Sequence, residues 1–234
     1  MQNMLPPQSV KIDALRQNIY FSRLKDEALV QLAQKTSLRH YEPGEIICWQ
    51  GEPCSGLFII ERGSVKLFKV SVKGRELIIK VFEEGATFNE VPVFDQGPNV
   101  VNVAALEPCD IWIVDPDEIR RTLKNNPEMT EAVITNLSRN LRMLVELVEE
   151  LSFFQVTNRM ARLLSQLPTD SLQGQAIQRI TQDQLAARLG TVREVASRSL
   201  RELERSGAIR VQRRQIEILD QNILLDWAQG PIPD

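Results

Sequence analysis

A chain of 234 residues is longer than most single domains, so it has room for two domains that each bury a core. The formal net charge is −3, yet residues 155–234 carry 11 arginines and 9 acidic residues, or +2, whereas 17 basic and 22 acidic residues upstream give −5. No apolar run approaches the roughly 18 residues of a membrane span, and the start MQNMLPPQSV lacks the features of a secretion signal. We therefore expect a cytoplasmic protein with no membrane partner.

The cysteines and the single histidine give little sign of metal or redox chemistry. Cys48, Cys54 and Cys109 are an odd number without CxxC spacing, which favours reduced structural thiols. His40 alone cannot supply a His-rich metal site, and the sequence contains no P-loop and no paired-carboxylate motif. We expect no metal site, no required cofactor and no enzymatic activity. A redox role for Cys48 or Cys54 and a haem-ligand role for His40 stay open as alternatives.

The N-terminal half changes from helical to strand periodicity. The segment SVKIDALRQNIYFSRLKDEALVQLAQ is helical in period, with Leu29, Leu32 and Ala33 on one stripe. Between Tyr41 and Val114, short runs rich in β-branched residues alternate with turn-forming glycines and prolines: EIICWQ, GLFIIE, SVKLFKVSV, ELIIKVF and DIWIV. Many short strands with regular glycines predict an antiparallel sandwich or roll.

A long helix is predicted from about Pro127, and its apolar residues recur at alternating intervals of three and four. These seam residues are Ile134, Leu137, Leu141, Leu144, Val148 and Leu151. The spacing is that of a coiled coil, although about two and a half heptads are few enough for the helix to pack on its own roll instead. A second apolar flank of Val133, Met143 and Leu147 can face the roll, so we expect the seam to form a homodimer.

The sequence ITQDQLAARLGTVREVASRSLRELERSGAIR predicts two helices joined by a tight turn at Gly190. Thr181 with Gln184, and Thr191 with Glu194, each fit the S/T-x-x-E/Q capping box and mark the two helix starts. The runs IRV and IEI then flank QRRQ as a small hairpin. The unit is therefore predicted to be a winged helix-turn-helix.

The second helix of this unit separates a polar face from an apolar face. Its polar residues fall within an arc of about 140° at 100° per residue. Arginine can donate two hydrogen bonds to guanine and glutamate can accept one from cytosine, so the face suits the major groove of DNA. We assign base reading to Arg193, Glu194, Ser197 and Arg198, and phosphate contact to Thr181, Arg201 and the wing-tip residues Arg213 and Arg214. The alternative is a solvated face on which Glu194 and Arg198 form an ordinary i,i+4 pair.

The predicted order of elements is a roll whose short strands are separated by glycines, then a long helix with an apolar seam, then a winged helix-turn-helix. This order resembles that of the cyclic-AMP receptor protein/FNR (CRP/FNR) family of bacterial transcription regulators. The resemblance spans about Phe21 to Leu219 and is most specific in EPGEII, GEPCSGLFIIERGSVKLF, FNEVPVF and LGTVREVASRSLRELERSGAI. It implies an α+β fold with a cyclic-nucleotide-binding-like antiparallel β-roll at 1–126, a dimerisation helix and hinge at 127–154, and a winged helix-turn-helix at 155–234.

The resemblance also implies a function. Members are dimers that sense an effector in the roll, bind inverted repeats in double-stranded DNA and contact RNA polymerase. Phe153, Phe154 and Gln155 form the expected hinge, where Gln155 stands in place of an aspartate that caps the next helix in many members. The alternatives are a regulatory module that acts through protein contacts, and a thiol- or haem-gated regulator.

The effector pocket implied by the resemblance comprises Asn89, Glu90, Asn99, Val100, Leu144 and Val145. Glu90 matches the carboxylate that holds the ribose in the cyclic-AMP branch, although it can equally be a strand-cap residue. Asn89 replaces a glycine, Asn99-Val100 replaces the Arg-Ser pair that meets the phosphate, and Leu144-Val145 replaces the Thr-Ser pair that contacts adenine. A buried phosphate without its cation is costly, so we expect an effector other than cyclic AMP. An iron–sulfur cluster is also not expected, because no cysteine precedes Cys48.

Overall fold

The computed structural model describes residues 6–167, 176–178, 180–212 and 215–230. The chain forms two compact units, of which one comprises Met1–Lys69 and Ile79–Asn140 and the other Val70–Ile78 and Leu141–Asp234. Among the described residues, no helix has the length and apolar character needed to cross a membrane.

The first unit begins with two helices, α1 (Gln8–Gln17) and α2 (Asp26–Gln34). The stripe predicted on α2 is confirmed, because Leu29, Leu32 and Ala33 are all fully buried. They pack with Trp112 and other residues of the roll in one continuous apolar core. Burial of such a leucine contributes about 1.5–3 kcal/mol, so the two helices are an integral part of this unit.

The described part of the first unit contains most of a roll of short strands in two sheets of order β1-β8-β3-β6 and β2-β7-β4-β5, and residues 70 and 76–78 of these strands fall in the second unit. The strands are β1 (Thr36–Tyr41), β2 (Ile46–Cys48), β3 (Leu57–Arg62), β4 (Val65–Val70), β5 (Glu76–Phe82), β6 (Thr87–Phe88), β7 (Asn102–Ala105) and β8 (Cys109–Val114). Strand β8 pairs antiparallel with β1 and β3, and β7 pairs antiparallel with β2 and β4. The predicted antiparallel roll is confirmed.

Three strands and one short helix of the roll were not predicted from sequence. They are β1, β6, β7 and α3 (Glu90–Asp95). Strand β1 has exposed residues in its middle and shows no clean alternation, and β7 is the alanine-containing segment NVAA. Both are strands because of their partners: β1 pairs along its whole length with β8, and β7 lies between β2 and β4. Local β propensity is weak evidence where cross-strand pairing decides the conformation.

Two helices follow the roll, α4 (Pro116–Asn125) and α5 (Pro127–Phe153). The carboxylate of Asp115 caps α4 by accepting hydrogen bonds from the backbone N–H groups of Asp117 and Glu118. Early in α5, Met129 and Val133 are buried in the core that contains α1 and α2. The long helix predicted from Pro127 is therefore present, and its start is anchored on the roll.

The second unit contains α6 (Val156–Gln166), β9 (Ala176–Gln178), α7 (Gln182–Arg188), α8 (Arg193–Arg205), β10 (Ile209–Gln212), β11 (Gln215–Ile218) and α9 (Gln221–Gln229). Strands β10 and β11 form the predicted hairpin, with Ile209 opposite Ile218. Strand β9 adds a third strand beside β11, and α9 packs on α6; neither was predicted. Most of the predicted loop LPTDSLQGQ, at 168–175, and the wing-tip Arg213 and Arg214 lie outside the described residues.

Candidate nucleic-acid interface and effector site

Helix α7 begins at the predicted capping box. The Thr181 hydroxyl accepts a hydrogen bond from the backbone N–H of Gln184 (3.1 Å), and the Gln184 side chain accepts one from the backbone N–H of Thr181 (2.8 Å). Gly190 lies between α7 and α8 with φ +62°, a left-handed conformation that glycine adopts at no steric cost. Thr181 is itself exposed, as its assignment to a phosphate contact requires.

The second predicted capping box is wrong. Helix α8 begins at Arg193, and its N-cap is Val192, which makes no side-chain cap. Thr191 stands one residue too early, and its backbone N–H donates to the carbonyl of Ala186 across the turn (2.9 Å). The tight turn therefore determines where α8 starts. Glu194 remains in the first turn, where a negative charge is favourable to the helix dipole.

The two faces of α8 are separated as the periodicity predicts. Arg193, Glu194, Arg198 and Arg201 are exposed, Ser197 and Val195 are half-buried, and Ala196, Ser199, Leu200 and Leu203 are buried. Within residues 180–212 no salt bridge joins Glu194 to Arg198, so the surface pair of the solvated-face alternative is not formed. The exposed side chains of Glu194 and Arg198 therefore do not neutralise each other.

Two further contacts position α8 and its first arginine. Arg193 Nη1 lies 3.4 Å from the carboxylate of Asp183 on α7, an exposed pair whose net stabilisation is small. On the opposite side, the Thr157 hydroxyl of α6 donates to the Glu202 carboxylate (2.7 Å) and lies 3.1 Å from the buried Ser199 hydroxyl. Sequence reasoning missed this second contact, because Thr157 is 42 residues from Ser199 and carries no motif.

At the predicted hinge, the structure shows a break between two helices and contacts from a residue that was not predicted, Arg162. Helix α5 ends at Phe153 and α6 begins at Val156, with Gln155 at the N-cap and no side-chain cap from it. Arg162 of α6 instead contacts three groups. Its Nη1 lies 3.2 Å from Glu150, its Nε donates to the carbonyl of Ala228 (2.7 Å), and its guanidinium lies 3.9 Å from the ring centre of Phe154. These residues come from four separate segments of the chain, so no local sequence pattern could predict their contacts.

The apolar seam of α5 is largely exposed in a single chain. Ile134, Leu141 and Val148 are each at least 60% exposed, and Leu144 and Leu151 are exposed as well. Leu137 is the exception, since it packs partly against the core of the first unit. On the second flank, Val133 is buried, and Met143 and Leu147 are half-buried. A regular row of exposed large side chains is typical of an interaction surface, and its spacing is that expected for pairing with a second copy of the same helix.

At the effector position, Asn89 has φ +73° and its amide donates to the carbonyl of Gly56 (3.0 Å). Asparagine is among the few side chains that tolerate this left-handed conformation, which explains why it can replace the family's glycine. Glu90 is the first residue of α3, so the strand-cap interpretation of Glu90 is wrong. Short helices of this kind are set by tertiary contacts rather than by propensity, and the sequence therefore did not reveal α3.

The buried carboxylate of Glu90 is already hydrogen-bonded within the chain. It accepts from the Tyr20 hydroxyl (2.9 Å), and the amide of Asn136 on α5 lies 3.4 Å away and also donates to the Tyr20 hydroxyl. Burial raises the pKa of Glu90, whereas the Tyr20 hydrogen bond and the charge of Lys80 act in the opposite direction. Burial lowers the pKa of Lys80, which the Glu90 charge opposes. Sequence reasoning missed Tyr20, Asn136 and Lys80.

The position at which the resemblance predicts a phosphate-binding arginine holds a neutral amide. Asn99 is 2% exposed, and its Nδ2 donates to the carbonyl of Trp49 (3.2 Å). Its Oδ1 has no hydrogen-bond partner among the residues that the structure describes. Val100, by contrast, is exposed. Leu144 and Val145 of α5 are exposed too and belong to the second unit. Neither Asn99 nor Val100 supplies a cation for a phosphate.

The surroundings of the three thiols and of His40 bear on the thiol-gated and haem-gated alternatives. All three cysteines are free, and burial raises the pKa of each, that of Cys48 to about 12, so the reactive thiolate form is disfavoured. The His40 ring lies at the surface with its Nδ1 2.8 Å from Asp110, and this hydrogen bond raises its pKa. Among the described residues, no three His, Cys, Asp or Glu side chains are grouped as a metal site.

Comparison with known proteins agrees with this architecture. A cyclic nucleotide-binding domain model matches residues 38–126, and a Crp-like helix-turn-helix domain model matches residues 158–227. The chain is 26% identical over 209 residues to the CRP-like cAMP-activated global transcriptional regulator of Mycobacterium tuberculosis, covering 87% of this chain and 93% of that protein. It is 29% identical over 200 residues to the transcriptional regulator SdrP of Thermus thermophilus, covering 81% of this chain and 93% of that protein.

The same fold is present in a crystal structure of a CRP/FNR-family transcriptional regulator from Eubacterium rectale. The TM-score is 0.74 at 21% identity, over 90% of this chain and 99% of that one. A roll joined to a winged helix-turn-helix with an exposed arginine face defines a DNA-binding transcription regulator. The chain belongs to the CRP/FNR family of transcription regulators.

Proposed function

We propose that this regulator binds an inverted repeat in double-stranded DNA as a homodimer, with α8 in the major groove. The polar face of α8 carries the proposal, because it presents arginine and glutamate side chains to solvent while the opposite face is locked in the core. We assign the reading of base edges to Arg193, Glu194, Ser197 and Arg198. We assign phosphate contact to Thr181 and Arg201, and also to Arg213 and Arg214, which the sequence places at the wing tip and which lie outside the described residues.

The homodimer is proposed from the seam of α5. Exposed Ile134, Leu141 and Val148 recur every seven residues, so two copies of the helix can bury them against each other. Two-fold symmetry of the protein then imposes two-fold symmetry on the DNA site. Contact with RNA polymerase is expected from family membership, as is a signal sensed in the roll.

The direct test is selection of bound sequences from a random duplex pool by the full-length protein. We expect an inverted repeat with half-site centres about one helical turn apart, and by family resemblance half-sites similar to TGTGA or TTGA. Affinity for the selected duplex should fall steeply as salt rises, because bound phosphates release counterions. Recovery of no preferred sequence, together with salt-independent binding, would instead support the alternative of a module that acts through protein contacts.

We also expect no cyclic-AMP binding at concentrations that saturate family members carrying the Arg-Ser pair. The phosphate would lie against neutral Asn99, and the Glu90 carboxylate is already hydrogen-bonded to Tyr20. Desolvating a phosphate without a paired cation costs several kcal/mol. Isothermal titration calorimetry is the measurement, and micromolar affinity would show that another cation meets the phosphate.

A further inference from the structure

A buried hydrogen-bond network joins three elements of the first unit. The Tyr20 hydroxyl lies 2.9 Å from the Glu90 carboxylate, and Asn136 of α5 contacts both groups. Tyr20 is 1% exposed and Glu90 7% exposed. The network therefore connects the segment after α1, the start of α3 and the long helix, and two of its three side chains are buried.

Tyr20 is held in place by its backbone as well as by its hydroxyl. Its N–H donates to the side-chain oxygen of Asn18 (3.0 Å), and the Asn18 amide donates to the Thr87 hydroxyl on β6 (2.6 Å). Asn18 is itself 2% exposed. The Tyr20 ring also lies in the apolar core with Phe21 and Leu29. The segment is thus fixed on the roll beside the residue whose carboxylate it contacts.

The chemistry of the contact matches what a ligand would supply. A buried carboxylate needs hydrogen-bond donors, and leaving it without them is costly. The matching carboxylate of the cyclic-AMP branch binds a ribose hydroxyl. Here the phenol hydroxyl of Tyr20 is a donor of the same kind, and the charge of Lys80 also favours the ionised form of Glu90. The carboxylate is therefore satisfied without any ligand.

We propose that Tyr20 takes the place of a ligand hydroxyl and, through Glu90 and Asn136, holds helix α5 in the DNA-binding form without an effector. This inference rests on the DNA-binding function proposed above. In this proposal Tyr20 and Asn136 are positioning residues, because they affect DNA affinity through α5 and do not contact DNA themselves. A signal that breaks the contact would lower DNA affinity.

The test compares DNA affinity of full-length variants on the selected duplex by fluorescence anisotropy. Tyr20→Phe removes the hydroxyl and keeps the ring, and Asn136→Ala removes the amide. We expect each to weaken binding about fivefold or more, the lower end of typical coupling between sites. Because both break one network, the double variant should bind no more weakly than the poorer single variant.

The matched control is Tyr41→Phe. Tyr41 is the other tyrosine of the chain, is buried in the same roll, and belongs to a different apolar cluster from Tyr20. We expect the Tyr41→Phe variant to unfold at a somewhat lower temperature than wild type. Its affinity for the selected duplex should stay within about twofold of the wild-type affinity. A loss of DNA affinity confined to Tyr20→Phe and Asn136→Ala then separates coupling from a general loss of stability.

Each other outcome has a defined meaning. If Tyr20→Phe melts lower but binds the duplex as wild type does, the network is only structural and the inference is overturned. Tighter binding by Tyr20→Phe, or additive losses in the double variant, overturn it equally. If Tyr20→Phe does not fold, Asn136→Ala at its half-buried position decides the matter alone. If wild type itself shows no sequence-selective binding, the proposed function fails first.

Discussion

Replacing Leu141 and Leu144 together with aspartate should convert the protein to a monomer. Both side chains are exposed in the single chain, so the change leaves its core intact but places charges in the proposed helix–helix contact. A monomer can engage only one half-site, and losing the second costs about 10²–10⁴-fold in affinity for the inverted repeat. Sedimentation and a DNA titration measure the two effects.

The control for the seam variant is Thr135→Asp with Arg142→Asp. Both positions are exposed on the same helix but lie off the seam. They add two acidic side chains, and we expect them to leave the dimer intact. A full dimer for the Leu141 and Leu144 variant would show that subunits associate elsewhere.

The second large effect is expected from Arg198→Ala on the polar face of α8. Loss of a two-bond contact to guanine should cost about 1–3 kcal/mol at the selected site and relax the preference at one base pair in each half-site. Glu194→Ala should likewise weaken the preference for a cytosine-bearing pair. Titration against the selected duplex and duplexes substituted at single positions measures both.

Arg201→Ala on the same helix is the comparison. We assign it to phosphate, so all sequences should weaken together, and the salt dependence should become shallower by about one unit for each phosphate that is no longer neutralised. If Arg198→Ala weakened every duplex equally while Arg201→Ala changed base preference, the two roles would be reversed. If neither changed DNA binding, α8 would not be the recognition helix.

The elements with strong local signals were predicted correctly. Leu29, Leu32 and Ala33 mark α2 by their spacing, and Thr181 with Gln184 marks the start of α7 by a capping box that forms as predicted. The faces of α8 follow from 3.6-residue periodicity alone. The Thr191 box failed because capping competes with the geometry of a turn only four residues long between Arg188 and Arg193.

The candidate site was only partly within reach of sequence. Glu90 and Asn99 were predicted to be pocket residues because they align with positions of a known motif, and this assignment stays a prediction. Tyr20 and Asn136 were not, since they lie 70 and 46 residues from Glu90 and stand in no motif. Arg162 was missed for the same reason. Contacts across such separations depend on which elements pack together.

By itself, the sequence determined the order of the elements, the antiparallel roll, the apolar row of the long helix and the polar face of α8. Each of these depends on residue spacing within one element, where periodicity and turn chemistry act over a few residues. Only the tertiary structure decided that NVAA is a strand, that Glu90 begins a helix and that its carboxylate meets Tyr20. These outcomes depend on partners distant in the chain. A strand needs a neighbouring strand to pair with, and a buried carboxylate needs hydrogen-bond donors, and only the folded chain determines which residues lie close enough to serve.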